Sequence, residues 1–256
     1  MIRTPALWAM TLLAMALAAS AQTRLITMTI APDMSSRQVS VVVTPNLTHT
    51  DKLPTEPLRL ARKAMLDDLP VNDADLRALA DLNDGLAAQK YVRVLLRQGG
   101  GSASDIAYYG TIAVSTGRVW SLPDVVEALH QLDPATEPKD RIRAYAAMLY
   151  PHAWAGNALA LDAVIDLNGE GKLFGPLSED TRVRIVAQGD KIGDGRVALR
   201  LALVLLQQPK LGDKDTGLLL GYLDRAAASN NLAVMTTAAN IIAMRKTETT
   251  QTAAKP

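Results

Sequence analysis

The 256-residue chain carries 27 Lys and Arg against 26 Asp and Glu, with 48% hydrophobic and 21% charged residues. That balance argues against intrinsic disorder and against a nucleic-acid binder, which meets phosphates with a basic surplus. The chain has no cysteine, which excludes disulfides, thiolate metal sites and a cysteine nucleophile.

The N-terminus reads as an export signal. Arg3 is a short basic region, an apolar run follows from Ala6 to Ala18, and Ala19-Ser20-Ala21 fits a small-x-small cleavage pattern. A membrane anchor is the weaker reading, because a spanning helix needs about 20 apolar residues and Gln22, Thr23 and Arg24 arrive too soon. The Ala-rich signal is of bacterial type, so the expected destination is the periplasm, with secretion as the alternative. Cleavage removes Arg3 and no acid, leaving 26 basic and 26 acidic residues. No later segment is long enough to cross a bilayer.

Residues 22–53 differ from the rest. Pro32, Pro45, Pro54 and Pro57 punctuate the region, and Arg37 to Thr44 is β-branched with no second strand to pair with. An extended arm or linker is expected here. Residues 54–246 turn helical. Leu58, Ala61, Met65 and Leu66 recur at helical spacing, and Asp73-Ala74-Asp75-Leu76 opens a second helix with acids at the positive end of its dipole. A third runs from Gly85 to Gln98, with Tyr91, Val94 and Leu95 on one face, and Gly99-Gly100-Gly101 breaks it. Further helices are predicted near 102–116, 122–132, 137–150, 157–167, 178–190, 194–207, 214–228 and 231–245. Aromatics make up only 4% of the chain, which suits close helix packing better than a β-sandwich. The Thr-rich end, residues 247–256, is expected to be a disordered tail.

The stretch from Asp105 to Leu132 shows how the helices pair. Ile106, Gly110, Ala113 and Gly117 share one face, and their small side chains let a neighbour approach closely. Glycine costs about 1 kcal/mol against alanine inside a helix, so close packing is the expected gain. Gly117 is placed to end the helix in a left-handed conformation, and Ser121 to cap the next one ahead of Pro123 and Asp124. Val125, Leu129 and Leu132 form the apolar stripe of that second helix. Similar units follow around Ala144 to Tyr150 with Ala158 to Val164, Ile185 to Gly193 with Val197 to Ala202, and Tyr222 to Ala228 with Asn230 to Ala233. A period of roughly 35–40 residues of paired helices means antiparallel hairpins stacked as an α-solenoid, with a non-repeating helical bundle as the alternative. The fold class is all-α.

The pattern resembles the Sel-one-like repeats, relatives of the tetratricopeptide-like repeats. Tyr109-Gly110, Gly117 and Asp124-x-x-x-Ala128 match their first helix, closing glycine and second helix. Asp224 to Asn230, with Ala226 and Ala227, matches the link between units. The match spans about residues 75–245. It departs from the family at Ala146-Ala147, where Leu-Gly is expected, and in the short unit at 185–207. The resemblance implies adaptor or regulatory work in the cell envelope.

Catalytic and ligand-binding patterns were sought alongside. His49, His130 and His152 are scattered without metal-ligand spacing, so surface or capping roles are expected. Gly99 to Ser102 lacks the preceding strand and the Gly-Lys-Ser/Thr of a phosphate loop. Gly189 to Gly195 lacks the alternating ligands of a calcium loop. No cofactor is expected. Arg182, Arg184, Arg196 and Arg200 concentrate charge on two successive helices, and they form the candidate partner-binding set, against a simple solvated face. The expected function is a non-catalytic exported scaffold that holds a protein partner. The alternatives are an enzyme or binding module for peptidoglycan or another envelope glycan, and a subunit of an envelope machine that docks through residues 22–53. The partner and the oligomeric state are left open.

Overall fold

A computed structural model describes residues 39–99, 101–193, 195–208 and 210–253, with side chains among them as far as residue 247. The expected export signal and residues 22–38 of the arm lie outside the described residues. Among the described residues the regular structure is all helical. The α-helices are α1 (Glu56–Leu66), α2 (Asp73–Asp81), α3 (Gly85–Gln98), α4 (Ala103–Ser115), α5 (Leu122–His130), α6 (Lys139–Trp154), α7 (Ala158–Leu167), α8 (Glu179–Ile192), α9 (Arg196–Leu206), α10 (Asp213–Ala227) and α11 (Leu232–Ala253). Short 3-10 turns occupy Thr50–Lys52 and Val119–Ser121.

Polar side chains start the helices where the sequence predicts. The side-chain oxygens of Asn72, Asp84, Ser102, Asn157 and Ser178 each accept a backbone N–H from the first turn they precede. Ser121 does not cap α5. The 3-10 turn runs straight into that helix with Ser121 already in a helical conformation, so its hydroxyl has no first-turn N–H to meet.

One device ends four helices. After α4 the Gly117 N–H donates to the Val114 carbonyl (2.9 Å) and the Arg118 N–H to that of Ala113 (3.0 Å). This crossed pair is the Schellman motif, and it needs a left-handed residue at its centre. Gly117 supplies one, with φ +97°. The same pair closes α6 around Gly156 (φ +93°), with Asn157 donating to His152 at 3.0 Å. It also closes α1 around Asp68 and α2 around Asn83, both of which hold positive φ without being glycine.

Glycine also permits the closest helix approach. A Cβ on Gly110 would lie 2.3 Å from Val125 Cγ2, so α4 and α5 meet where only a hydrogen fits. Gly189 of α8 repeats this against Val197 of α9, at 2.7 Å from Val197 Cβ. Packing then follows chain order, α2 on α3, α3 on α4, α4 on α5, α6 on α7, α9 on α10 and α10 on α11. Contacts also run between alternate helices, α4 with α6, α5 with α7 and α7 with α9. The core at these seams is small and aliphatic, with Ala113, Val125, Leu149, Ala160, Leu161, Val164, Leu199 and Leu219 fully buried.

Two helices outrun their predicted ends. α6 carries Pro151 inside its last turns and continues to Trp154. Pro151 has no N–H for the Ala147 carbonyl and its ring crowds that carbonyl, a local cost the helix bears over its last turn. α11 continues to Ala253, through most of the segment expected to form a disordered tail.

Residues 39–53 are not a free arm. They run as an extended strap across the turns between successive helices. The Val43 and Thr44 N–H groups donate to the Ser115 carbonyl (2.8 and 3.0 Å), and Val42 forms an isolated antiparallel bridge with Thr116. Further along, Asn46 Oδ1 accepts the Gly85 N–H (2.9 Å), and the Leu47 N–H reaches the Asn83 carbonyl (3.1 Å). The strap's partners are turn carbonyls and amides rather than a second strand.

Candidate functional site

Arg182 and Arg200, two of the four candidate arginines, take different partners. Arg182 pairs with Glu179 in the first turn of α8, and it lines a groove toward Lys214 and Tyr222 of α10. Arg184 is exposed, two positions further along the same helix. Arg196 opens α9. Arg200 turns the other way, onto α7. Its Nε donates to Asp166 Oδ1 at 3.0 Å, its Nη2 meets Asp166 Oδ2, and its Nη1 lies 3.6 Å from Asp162 Oδ2. His130 of α5 reaches Asp166 from the opposite side, with Nε2 3.5 Å from Oδ2 and Nδ1 2.8 Å from the Val126 carbonyl. One residue from each of α5, α7 and α9 therefore forms a charged tie. Burial opposes ionisation of Asp166, but hydrogen bonds from His130 and Arg200 outweigh it and hold the carboxyl below its ordinary range. The bond to Asp166 raises the His130 pKa. Arg200 is thus committed to a structural role.

The repeat positions serve packing. Asp124 lies in the first turn of α5, where burial and then Glu127 push its carboxyl up while Arg93 opposes them. Ala128 and Ala226 are buried, and Ala227 is half-buried beside them.

A second cluster joins α2, α3, α4 and α6. Tyr108 and Tyr109 are consecutive on α4, so they point about 100° apart around the helix. Tyr109 turns inward. Arg77 Nε donates to its hydroxyl at 3.0 Å, and Tyr91 meets its ring edge-on at 4.8 Å between centroids. Burial pushes the Tyr109 pKa up to about 12. Tyr108 stays half-exposed, with the Arg141 guanidinium 4.4 Å above its ring. Arg141 also donates to Ser104 Oγ (2.6 Å) and approaches Asp105 (3.4 Å). Ser104 in turn donates to Glu137 Oε1 at 3.1 Å. The buried Tyr145 donates to that same oxygen at 2.7 Å, and burial followed by Glu137 raises its pKa strongly. The result is a surface of the half-buried Tyr91, Tyr108 and Arg141 with the exposed Arg77, backed by the buried Tyr109 and Tyr145 and held by their mutual bonds. The doubled Tyr108-Tyr109 was the sequence signal for it. Arg77, Glu137 and Arg141 carried no signal, because their partners lie on other helices.

His152 departs furthest from expectation. It is fully buried rather than on the surface. Its Nδ1 lies 3.0 Å from the Met148 carbonyl, and its Nε2 accepts the Val41 N–H of the strap at 3.3 Å. The Gly99 to Ser102 stretch is a helix connection, with Gly99 closing α3 and Ser102 capping α4. Residues 189–192 of the calcium-loop candidate belong to α8. Among the described residues no group of three or more His, Cys, Asp or Glu side chains is placed to hold a metal ion, and no helix is long and apolar enough to cross a membrane.

No protein-family model matches the chain, and no curated protein or solved structure matches it either.

Proposed function

We propose that this chain is an exported, non-catalytic helical-repeat scaffold that binds a protein partner in the cell envelope. The observation that carries this reading is the tyrosine–arginine surface on α2, α3, α4 and α6. Aromatic and arginine side chains dominate binding energy at protein interfaces, and they lose little entropy when already held in place. Tyr91, Tyr108 and Arg141 are held in this way, by ring contacts and hydrogen bonds to neighbouring helices.

The repeated Schellman turns and the contacts between alternate helices support stacking as an α-solenoid, in line with the resemblance to Sel-one-like repeats. Residues 1–21 support export, and periplasm is the compartment we assign.

The glycan-enzyme alternative calls for a carboxyl of raised proton affinity beside a second carboxylate. Asp162 and Asp166 do converge, yet Arg200 lies between them and Asp166 is held low. The raised Asp124 lines none of the four grooves described, those along α8 to α10, between α2 and α3, and beside Trp120. The test is affinity capture from the native envelope with residues 22–256 and with a Tyr108→Ala, Arg141→Ala double variant. A stoichiometric partner lost by the variant supports the scaffold. Retention on purified cell-wall material, equal for both proteins, contradicts it.

A further inference from the structure

We infer that the N-terminal half of the strap, residues 39–44, is a proton-released latch with His152 as its catch. The inference starts from bond inventory. An imidazole can accept a hydrogen bond only when neutral. His152 accepts the Val41 N–H at Nε2 and faces the Met148 carbonyl with Nδ1, so its neutral Nδ1–H tautomer satisfies both contacts. Protonation puts a hydrogen on Nε2, where it points at the Val41 N–H. Two donors then face each other inside a site from which water is excluded, because His152 is 0% exposed. The histidine cannot move out without disrupting α6, whereas the strap can, because it lies on the surface.

No charge intervenes. Ser40 to Thr44 on the strap, Ser115 to Gly117 at the end of α4, and Asn157 to Leu161 at the start of α7 carry no ionisable side chain. Of the described charged residues flanking these stretches, Asp162 lies against Arg200, and Arg118 is desolvated by burial, with the Asp84 charge opposing that effect. On α6 itself Tyr145 is bonded to Glu137 and Tyr150 to Asn168. Burial, followed by the Met148 carbonyl, sets the His152 proton affinity, and its pKa is lowered. The neutral, latched form therefore prevails at neutral pH, and it is lost as pH falls below the ordinary histidine range and through the lowered value.

The geometry also says where release stops. Release must also break the Ser40 bond to the Gly117 carbonyl and the Val43 and Thr44 bonds to the Ser115 carbonyl, all between uncharged groups; beyond Pro45 the strap is tied by a buried charged residue. Arg62 Nη2 donates to the Leu47 carbonyl (2.8 Å) and Nη1 to Thr50 Oγ1 (2.5 Å), while Nε donates to Asp84 (2.8 Å). Acid thus frees residues 39–44 and uncovers the Ser115 and Gly117 carbonyls, while residues 46–53 stay in place.

Amide hydrogen exchange of the full chain at pH 7.5 and pH 5, corrected for the intrinsic pH dependence, tests this. Protection of residues 41–44 should fall at least about tenfold at the lower pH, with residues 46–53, α4 and α6 unchanged. His152→Gln carries its amide oxygen to the position of Nε2, so it keeps an acceptor for Val41 and has no proton to gain, and its protection should not depend on pH. Equal protection of the wild-type strap at both pH values overturns the inference. So does a loss shared with α4 and α6, or one that persists in H152Q. If H152Q does not fold, an NMR titration of the wild type decides: the Val41 amide must shift with the same midpoint as the His152 ring, and an independent midpoint overturns the latch.

Discussion

Gly110 and Gly189 show how one missing methyl sets a helix spacing. Each sits in the first helix of a hairpin and faces a valine of the second, and an added Cβ would lie within 3 Å of that valine's side chain. Gly110→Ala should therefore destabilise the fold by about 1–3 kcal/mol, even though alanine is the better helix former. Denaturant unfolding reads this directly, and pairing the change with Val125→Ala should recover part of the loss. His130 allows a second prediction at the same scale. Its pKa is raised by Asp166, so an NMR titration should place it above the ordinary value near 6.5. The stability that this pair adds is complete below the ordinary value and is lost as pH rises through the raised one. Asp166→Asn should return the His130 midpoint toward its ordinary range and lower the melting temperature. His130 and His152 thus act in opposite directions, since His152 adds stability only when neutral.

Helix starts and stops were largely legible in the sequence, because their signals are local. The helices predicted from 102, 157 and 178 start there, each capped by the side chain of Ser102, Asn157 or Ser178, and Gly117 closes α4 as its spacing predicts, whereas Ser121 does not cap α5. Asp68 and Asn83 were harder to read, since a left-handed residue that is not glycine carries no distinctive mark. The strap was illegible for a different reason. Its hydrogen bonds run to the turns at Gly85, Ser115 and Gly117, which are distant in sequence and follow no strand pattern. Its charged anchor is Arg62, which donates to the Leu47 carbonyl and to Thr50 and is itself paired with Asp84, the two buried to 6% and 1% exposure. Asp84 also accepts the Leu86 and Ala87 N–H groups at the start of α3. Removing it strands a buried guanidinium and uncaps a helix, so Asp84→Ala should cost about 3–5 kcal/mol by urea denaturation. Arg62→Met, which fills similar volume without charge, should cost less.

At the scale of the molecule, the helical class and the packing of neighbouring helices were readable from periodicity, while the candidate surface was not; α9, expected to pair with α8, packs mainly on α10. Tyr108 and Arg141 lie on different helices, and only the contact between α4 and α6 brings them together. Of the four arginines that looked like a patch in the sequence, Arg182 pairs within α8 while Arg200 is drawn onto α7 by its salt bridges. Sequence proximity on successive helices does not imply a shared surface once the helices pack.

The central claim is that this surface holds a protein partner, and affinity capture with residues 22–256 from the native envelope tests it most directly. The account predicts a reproducible partner at fixed stoichiometry, with capture reduced at least about tenfold by Tyr108→Ala with Arg141→Ala, the loss of roughly one interface hot spot. Equal capture by both proteins, or capture of cell-wall polymer alone, would contradict it.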